Sequence, residues 1–422
     1  MDQRATFLEH SAYYLAFGSA VAALFSIAVC HSLLALAFAA LLLSGQRLRL
    51  PPVWKPLAAF LGLTVLSLLA SQDPLDGRTQ IRKFYVYLIL LVIYSCFRRT
   101  GAAVGLMQVL IAVGTLSALR SLAQFYQKAE QARITGQPFY RHYVADRITG
   151  FMSHWMTFAG EMMIIFLVLT AFVLFSQRPL RAPVAWLTAG AIVAAALVLG
   201  WTRSIWLATA VGTVYLLWFS WRWLTLALPV VGLLLAWQAP SAIRERIRSI
   251  YQPDKLLDSN EHRVLLRRTG WRIILSHPLL GVGPEQVERS FASYIPPDIE
   301  RPIPAEWWYG HLHNIYIHYA AERGVPALFA LLWFFARILV DFRRALRRLP
   351  AGPCSERFLL HAGIAVTVGI MVGGWWELNL GDSEVLTLFL TTITCGYLAV
   401  DAAGKNDAAQ AAEERDVGSV AG

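Results

Sequence analysis

The sequence predicts an all-α, polytopic integral membrane protein with about twelve transmembrane helices. Three observations predict it. Of the 422 residues, 57% are hydrophobic and only 15% charged, whereas a soluble domain carries about 25% charged residues. The apolar residues come in continuous stretches of about 17 to 25, each long enough to cross roughly 30 Å of hydrocarbon as a helix. No strand-like alternation runs along these stretches, and a helix satisfies its own backbone amides in lipid, where an open strand cannot.

Taken in order, spans are expected at about 11–29, 31–45, 53–71, 82–97, 101–120, 152–176, 182–200, 203–220, 223–239, 312–341, 357–376 and 384–401. The first apolar stretch, Ala12 to Ala28, has the length of a signal-peptide core. It lacks a small-residue cleavage site and a second span follows at once, so it reads as a retained helix. Both termini then fall on one face. The short loops of that face, "GQRLRLPPVWK", "CFRRTG", "SQRPLRAP", "SWRWL" and "VDFRRALRRLPAGPCSER", are rich in arginine and poor in acid. The positive-inside rule places them in the cytoplasm, which also locates much of the net charge of +10.

The opposite face carries "SQDPLDGRTQIRK", a connection from Ser121 to Gly150, and a long segment from Pro240 to His311. Long loops are exempt from the charge bias, and a structureless stretch of about seventy residues is uncommon in a compact domain. Helices are therefore expected there, and "LLRRTGWRIILSHPLLGVGPEQ" reads as one stopped by His277-Pro278 with glycines beyond. Residues 1–401 form a single transmembrane domain with segment 240–311 inserted before the tenth span. Residues 402–422 read as a polar, disordered cytoplasmic tail. Cys30, Cys96, Cys354 and Cys395 are scattered with neither CxxC nor metal spacing, so no disulfide framework is expected.

The densest chemistry lies in "EWWYGHLHNIYIHYAAERGVPAL", Glu306 to Leu328, which holds His311, His313 and His318 of the ten histidines. At about 100° per residue, His311/His313 and His313/His318 splay apart on a helix, while His311/His318 share a face about 10 Å apart along the axis. Ligands of one ion must lie within about 2 Å of it, so no metal site is expected. Two readings remain: imidazoles hydrogen-bonding at the lipid–water boundary, or an acid–base group able to take a proton from a hydroxyl. Trp307, Trp308 and Tyr309, like Trp375 and Trp376, read as an interfacial aromatic belt or as a surface for stacking sugar rings. Asp382 and Glu384 form the nearest approach to an acidic pair and are held as a minor alternative base.

His313-Asn314, an apolar and aromatic helical run, then Glu322-Arg323-Gly324 in "HNIYIHYAAERGVPAL" resembles a motif of the O-antigen ligase and O-antigen polymerase superfamily. "LGWTRSIWLATAV", Leu199 to Val211, is similar to that superfamily's Ser/Thr-Arg-Ser/Gly segment at the outer end of a span. "RRTGWRIILSHPLLGVGP", Arg267 to Pro284, is similar to its loop element ending in His-Pro-x-x-Gly-x-Gly. The expected topology also resembles the family's over nearly the whole chain, while the motifs cover roughly fifty residues.

The resemblance implies a multi-pass protein of the bacterial inner membrane whose periplasmic site moves a glycan from undecaprenyl pyrophosphate to an acceptor. In ligases the acceptor is lipid A–core; in polymerases it is another lipid-linked glycan. By matching position, His313 is the expected essential histidine, with Arg203 and Arg267 the essential arginines. His311 and His318 compete with His313, and Arg263 and Arg268 blur the choice at Arg267. Arg263, Arg268, Asn314, His311, Arg147 and Arg141 are the substrate-binding candidates. For Arg203 the alternative is snorkelling to lipid headgroups, and for Arg267 a solvated helix surface. No cofactor, metal, nucleotide or nucleic acid is expected; the partners are the lipid-linked donor, the lipid A–core acceptor and membrane lipids.

The chemistry suits these residue types. Breaking the bond from pyrophosphate to the anomeric carbon builds negative charge on the leaving group, which fixed donors in a partly dehydrated site stabilise. The planar guanidinium fork bonds two phosphate oxygens at once and stays charged. A histidine can take the acceptor hydroxyl's proton as attack occurs from the face opposite the pyrophosphate, so the anomeric carbon inverts. The span count and the late position of the large loop favour a ligase over a polymerase; a protein O-oligosaccharyltransferase is a third relative. A lipid-linked glycan transporter would place charges near the bilayer midplane in paired halves, whereas here they collect at the rim.

Overall fold

The structure, a computed structural model, describes residues 3–177, 182–238, 241–248, 260–299, 302–303 and 311–420. Among them it is all helical, with no strand. The first half comprises α1 (Gln3–Ala22), α2 (Ile27–Leu43), α3 (Trp54–Ala70), α4 (Pro74–Arg82), a 3-10 turn (Lys83–Tyr87), α5 (Leu88–Cys96), α6 (Thr100–Thr135), α7 (Phe139–Ala145), α8 (Trp155–Phe175) and α9 (Pro183–Leu199). The second half comprises α10 (Arg203–Ser220), α11 (Arg222–Gln238), α12 (Ser241–Arg248), α13 (Asn260–Ser276), α14 (Val287–Tyr294), α15 (Ile315–Arg323), α16 (Val325–Arg348), α17 (Ser355–Gly373) and α18 (Ser383–Val420).

Five helices, α6, α8, α16, α17 and α18 to Lys405, are long and apolar enough to cross a membrane; α2, α3 and α9 are apolar but shorter. The count of twelve spans is thus not reached by length and composition. Several expected spans are shorter than the pattern implied. The fourth is broken into the 3-10 turn and nine-residue α5. The tenth, expected over 312–341, splits at Gly324, whose φ of +84° ends α15 and starts α16, with Pro326 in the first turn of the new helix. The histidines therefore sit before the span, not in it. Beyond residue 401, where a disordered tail was expected, α18 continues as helix to Val420.

Buried shares separate the middle of the bundle from its edge. The apolar windows of α8, α17 and α18 are 78%, 72% and 83% buried, against 50% for α6 and 44% for α16. Lipid supplies no hydrophobic drive between helices, so their contact relies on close packing around small residues. Phe342 of α16 shows how: its ring occupies the space a Cβ would fill at Gly363 of α17 and at Gly396 of α18.

The helix order brings two sets of ends together. At one end Arg49 pairs with Asp401, Thr100 donates to Glu356 (2.8 Å), and the Cys354 amide donates to the Phe175 carbonyl (3.0 Å). At the other, Arg289 bonds Asp73 (2.9 Å), Tyr143 donates to the Leu199 carbonyl (2.6 Å), and Thr157 donates to Asp382 (3.1 Å). Helix α6 has 36 residues, about 54 Å, and carries part of the expected 121–150 loop as helix. Gly136, left-handed at φ +65°, ends it. The expected helices of the inserted segment are α12, α13 and α14. The four cysteines are free.

Candidate functional site

Two glycine motifs hold the inserted segment onto the bundle. After α13, the chain from Pro278 to Glu285 lies along the junction of α15 and α16. The Val325 amide donates to the Pro278 carbonyl (2.8 Å), Val282 to Ala321 (2.9 Å) and Gly283 to Glu322 (2.9 Å). The Glu285 amide donates to the Glu322 side chain (2.8 Å), and Ser67 of α3 donates to the Glu322 carbonyl (2.8 Å). There is no room for side chains: a Cβ on Gly281 would lie 2.3 Å from the Glu322 carbonyl carbon, and one on Gly324 would lie 2.0 Å from the Leu279 oxygen. The Gly-x-Gly and Glu-x-Gly motifs are thus two sides of one seam, and the seam fixes α13 above the helix ends.

His313 is fixed from the residue that follows it. Asn314, fully buried, caps α15 by accepting from the amides of Tyr316 and Ile317, both at 2.9 Å. Its amide group donates to the Trp375 carbonyl (2.9 Å), and the Ile315 amide donates to Gly374 (2.8 Å). Asn314 therefore ties His313 to the loop after α17. That loop carries Glu377, whose Oε2 lies 3.4 Å from His313 Nδ1. The separation is long for a hydrogen bond, and such contacts tighten when substrate fills a site. With Nδ1 toward the carboxylate, the other ring nitrogen is left as the proton acceptor.

Glu377 is 2% exposed and has two further partners, Arg263 of α13 (2.7 Å) and Ser204 of α10 (3.0 Å). Burial pushes its carboxyl up, but Arg263, His313 and Ser204 together hold it at about 2, so it stays ionised. Next to Ser204 is Arg203, the first residue of α10. Arg147, 6% exposed, lies with its guanidinium 3.9 Å from the centre of the Trp155 ring. Burial first, then Arg246, push its pKa down to about 9; Glu377 opposes the shift and Arg203 adds to it. Arg246, also buried, donates to the Trp201 carbonyl (3.1 Å). Four arginines thus gather around this end of the bundle, an excess of positive charge suited to an anion.

Strain gathers in the same place. Among the described residues, the only non-glycine positions with positive φ are Trp201 (50°), Glu285 (62°) and His313 (47°). Trp201 precedes the cap residue of α10, His313 precedes that of α15, and Glu285 ends the glycine seam. Such backbone costs about 1–3 kcal/mol each and persists where surrounding structure over-determines it.

Part of this constellation borders a cavity of about 480 Å³ whose wall includes His154, His262, Arg263, His311, His313 and Glu377 together with Lys83, Glu285 and Asp382. Of the residues singled out in the sequence, His313, His311 and Arg263 reach the cavity wall; His318 does too, 3.4 Å from Glu322. Burial and His313 push His311 down to about 4. Arg203 and Arg147 belong to the adjoining cation cluster. Arg267 is not brought into the cavity: it is exposed, and its Nε donates to the Arg263 carbonyl one turn back (3.3 Å). Arg268 is exposed and bonds Asp298 through both terminal nitrogens, at 2.9 and 2.8 Å. Asn314 acts on the backbone, as described. The Arg141 side chain, Glu306, Trp307, Trp308 and Tyr309 lie outside the described residues. Asp382 lines the cavity and Glu384 does not. Among the described residues, no three His, Cys, Asp or Glu side chains converge as metal ligands.

Sequence reasoning missed Glu377, Arg246 and Lys83. The signal for Glu377 was present in "GGWWELNLGDSEV", an acid at the end of an apolar span beside two tryptophans.

No curated protein matches the chain. Residues 188–332 match the family model described as O-antigen ligase, a stretch that includes Arg203, Arg263 and His313 and ends before Glu377. Over residues 188–332, about a third of its length, the chain is thus similar to the O-antigen ligase family.

Proposed function

We propose that this protein joins an undecaprenyl-pyrophosphate-linked O-antigen glycan to lipid A–core, on the periplasmic side of a bacterial inner membrane. The observation that carries the reading is the pairing of His313 with an ionised, buried Glu377 that also holds Arg263 at the cavity wall. In this scheme His313 takes the proton of the acceptor hydroxyl, and Glu377 orients the imidazole and stabilises the imidazolium that forms. Arg263, with Arg203 and Arg147, stabilises the charge that grows on the departing pyrophosphate. The reaction is one displacement: the acceptor oxygen bonds the anomeric carbon as the bond to pyrophosphate breaks, with inversion. The proton goes to His313 and the electron pair to the leaving group. We infer further that α1, α2, α3, α5, α9, α10 and α11 cross the membrane with the five longer helices, giving the twelve-span topology, with the arginine-rich loops in the cytoplasm.

The test is a purified-component assay. Protein, lipid-linked glycan and lipid A–core, without nucleotide and with EDTA, should give a joined product. No product with lipid A–core, but chain extension with a second lipid-linked glycan, would replace the ligase reading by a polymerase. Inhibition by EDTA that a divalent ion reverses would overturn the metal-independent scheme.

A further inference from the structure

The end of the bundle away from His313 carries two apolar clefts that the transfer reaction does not use. One, of about 490 Å³, lies between α10, α16 and α17, with Leu339, Ile364 and Val368 in its wall. The other, of about 570 Å³, is bordered by α8, α9 and the turn before α17. They meet at Phe219 and Arg357, which line both. Phe219 is near the C-terminus of α10, whose first residue is Arg203. Arg357 is near the N-terminus of α17, whose other end leads to Glu377. The 19 residues of α17 put roughly 28 Å between the two regions.

The charge around these clefts has one sign. Arg343, Arg347 and Arg357 line the first cleft, and no aspartate or glutamate lines either one among the described residues. Arg343 and Arg347 are exposed, one turn apart on α16, and have no acidic partner among the described residues. Like charges at that spacing repel each other on a helix. Arg357 is held at the junction by donating to the carbonyls of Gly352 (2.9 Å) and Pro350 (2.8 Å). The inner wall is closed by Tyr215 and His361, 2.9 Å apart, with the imidazole stacked on Phe175. Both volumes fall in the range of about 300–1,000 Å³ typical of ligand pockets.

We propose that the paired clefts bind one anionic glycerophospholipid, its phosphate against Arg343, Arg347 and Arg357 and its two acyl chains on either side of Phe219. Basic pockets between transmembrane helices take such headgroups because several cations meet one phosphate at the membrane surface. A zwitterionic lipid brings an ammonium of its own to this all-cationic rim, and free phosphate brings nothing to fill the apolar clefts. The site is independent of the catalytic reading and stands or falls without it.

The full chain, purified in detergent, tests this by native mass spectrometry and by thermal melting with phosphatidylglycerol, phosphatidylcholine or inorganic phosphate added. Phosphatidylglycerol should remain bound one to one and raise the melting midpoint, while the other two should do neither. The double variant Arg343→Gln/Arg347→Gln should weaken phosphatidylglycerol binding by roughly tenfold or more. Ile364→Trp, which fills one cleft and leaves every cation, should weaken it as well. If either variant fails to fold, the wild-type preference for phosphatidylglycerol over phosphatidylcholine still decides. Equal retention of the two lipids, undiminished binding by the folded double variant, or the same midpoint shift from inorganic phosphate would overturn the proposal.

Discussion

Glu377 Oε2 lies 3.4 Å from His313 Nδ1, and the two side chains arrive there from different elements, one from the loop after α17 and the other from the turn before α15. The backbone bonds of Asn314 and Ile315 to Trp375 and Gly374 set that approach. Replacing His313 with Ala should cost roughly 10²–10⁴-fold in kcat, the usual weight of a general base. Glu377→Gln keeps the shape and removes the charge, so it should cost up to roughly 10⁴-fold in kcat, the scale seen when a catalytic histidine loses its orienting carboxylate. The loss should fall on kcat and leave the donor KM little changed. Full activity in Glu377→Gln would reduce the pair to a structural contact.

Arg263 and Arg267 are one turn apart on α13, yet only Arg263 reaches Glu377. Arg263→Lys keeps a charge but loses the planar fork, so it should lower transfer by at least about tenfold. Arg267→Ala should leave melting within about 0.5 kcal/mol of wild type, as for an exposed surface position, and activity within about twofold. Steady-state transfer assays on the two variants decide between them. The reverse ranking would show that α13 turns its other arginine inward in the working enzyme.

The sequence carried the helical class, the gathering of the three histidines in one place and the position of Arg203 at a helix start, because each follows from local pattern: apolar run length, a polar cluster at its mouth, a cation before an apolar run. It did not carry the choice between Arg263 and Arg267, since i and i+4 share one helix face. What separates them is how far along its axis α13 is set, and the seam of Gly281 and Gly324 fixes that through contacts with Glu322 and Leu279, which lie 41 and 45 residues away in sequence. Glu377 was hidden for a similar reason. Nothing near it in the chain hints that Asn314 will fasten its loop beside His313. The broken tenth span was legible in principle: Gly324 and Pro326 stood in a run otherwise apolar enough to read as continuous.

That seam can be tested on its own. Gly281 has φ +66° and no space for a Cβ beside Glu322, whereas Gly352 has φ +104° with nothing within 4 Å. Gly281→Ala should combine backbone strain with a clash and destabilise by roughly 2–4 kcal/mol. Gly352→Ala should show only the strain, about 1–2 kcal/mol. Melting midpoints read from tryptophan fluorescence would measure both. Transfer activity should fall with Gly281→Ala even below its midpoint, because α13 carries Arg263. Equal effects from the two substitutions would mean that the seam is not tightly packed.

Asp382 offers a prediction in pH. Burial, with Glu384 adding to it and the Thr157 hydroxyl opposing, raises its carboxyl to about 6 from an ordinary 3.8. A raised acid favours the folded state below pH 3.8, where it is neutral in both states, and that advantage is lost as pH climbs through about 6. Asp382→Asn keeps the shape without the charge. Its melting midpoint should match wild type near pH 4 and exceed it increasingly up to pH 7, by a difference on the order of 1–3 kcal/mol. His311 acts in the opposite sense, since its pKa falls from 6.5 to about 4 and stability is lost as pH drops through that window. Both proteins contain it, so the difference between them cancels its effect. A difference that stays constant from pH 4 to pH 7 would mean that Asp382 is ionised in the folded protein throughout, with the cavity wall too wet to hold it neutral.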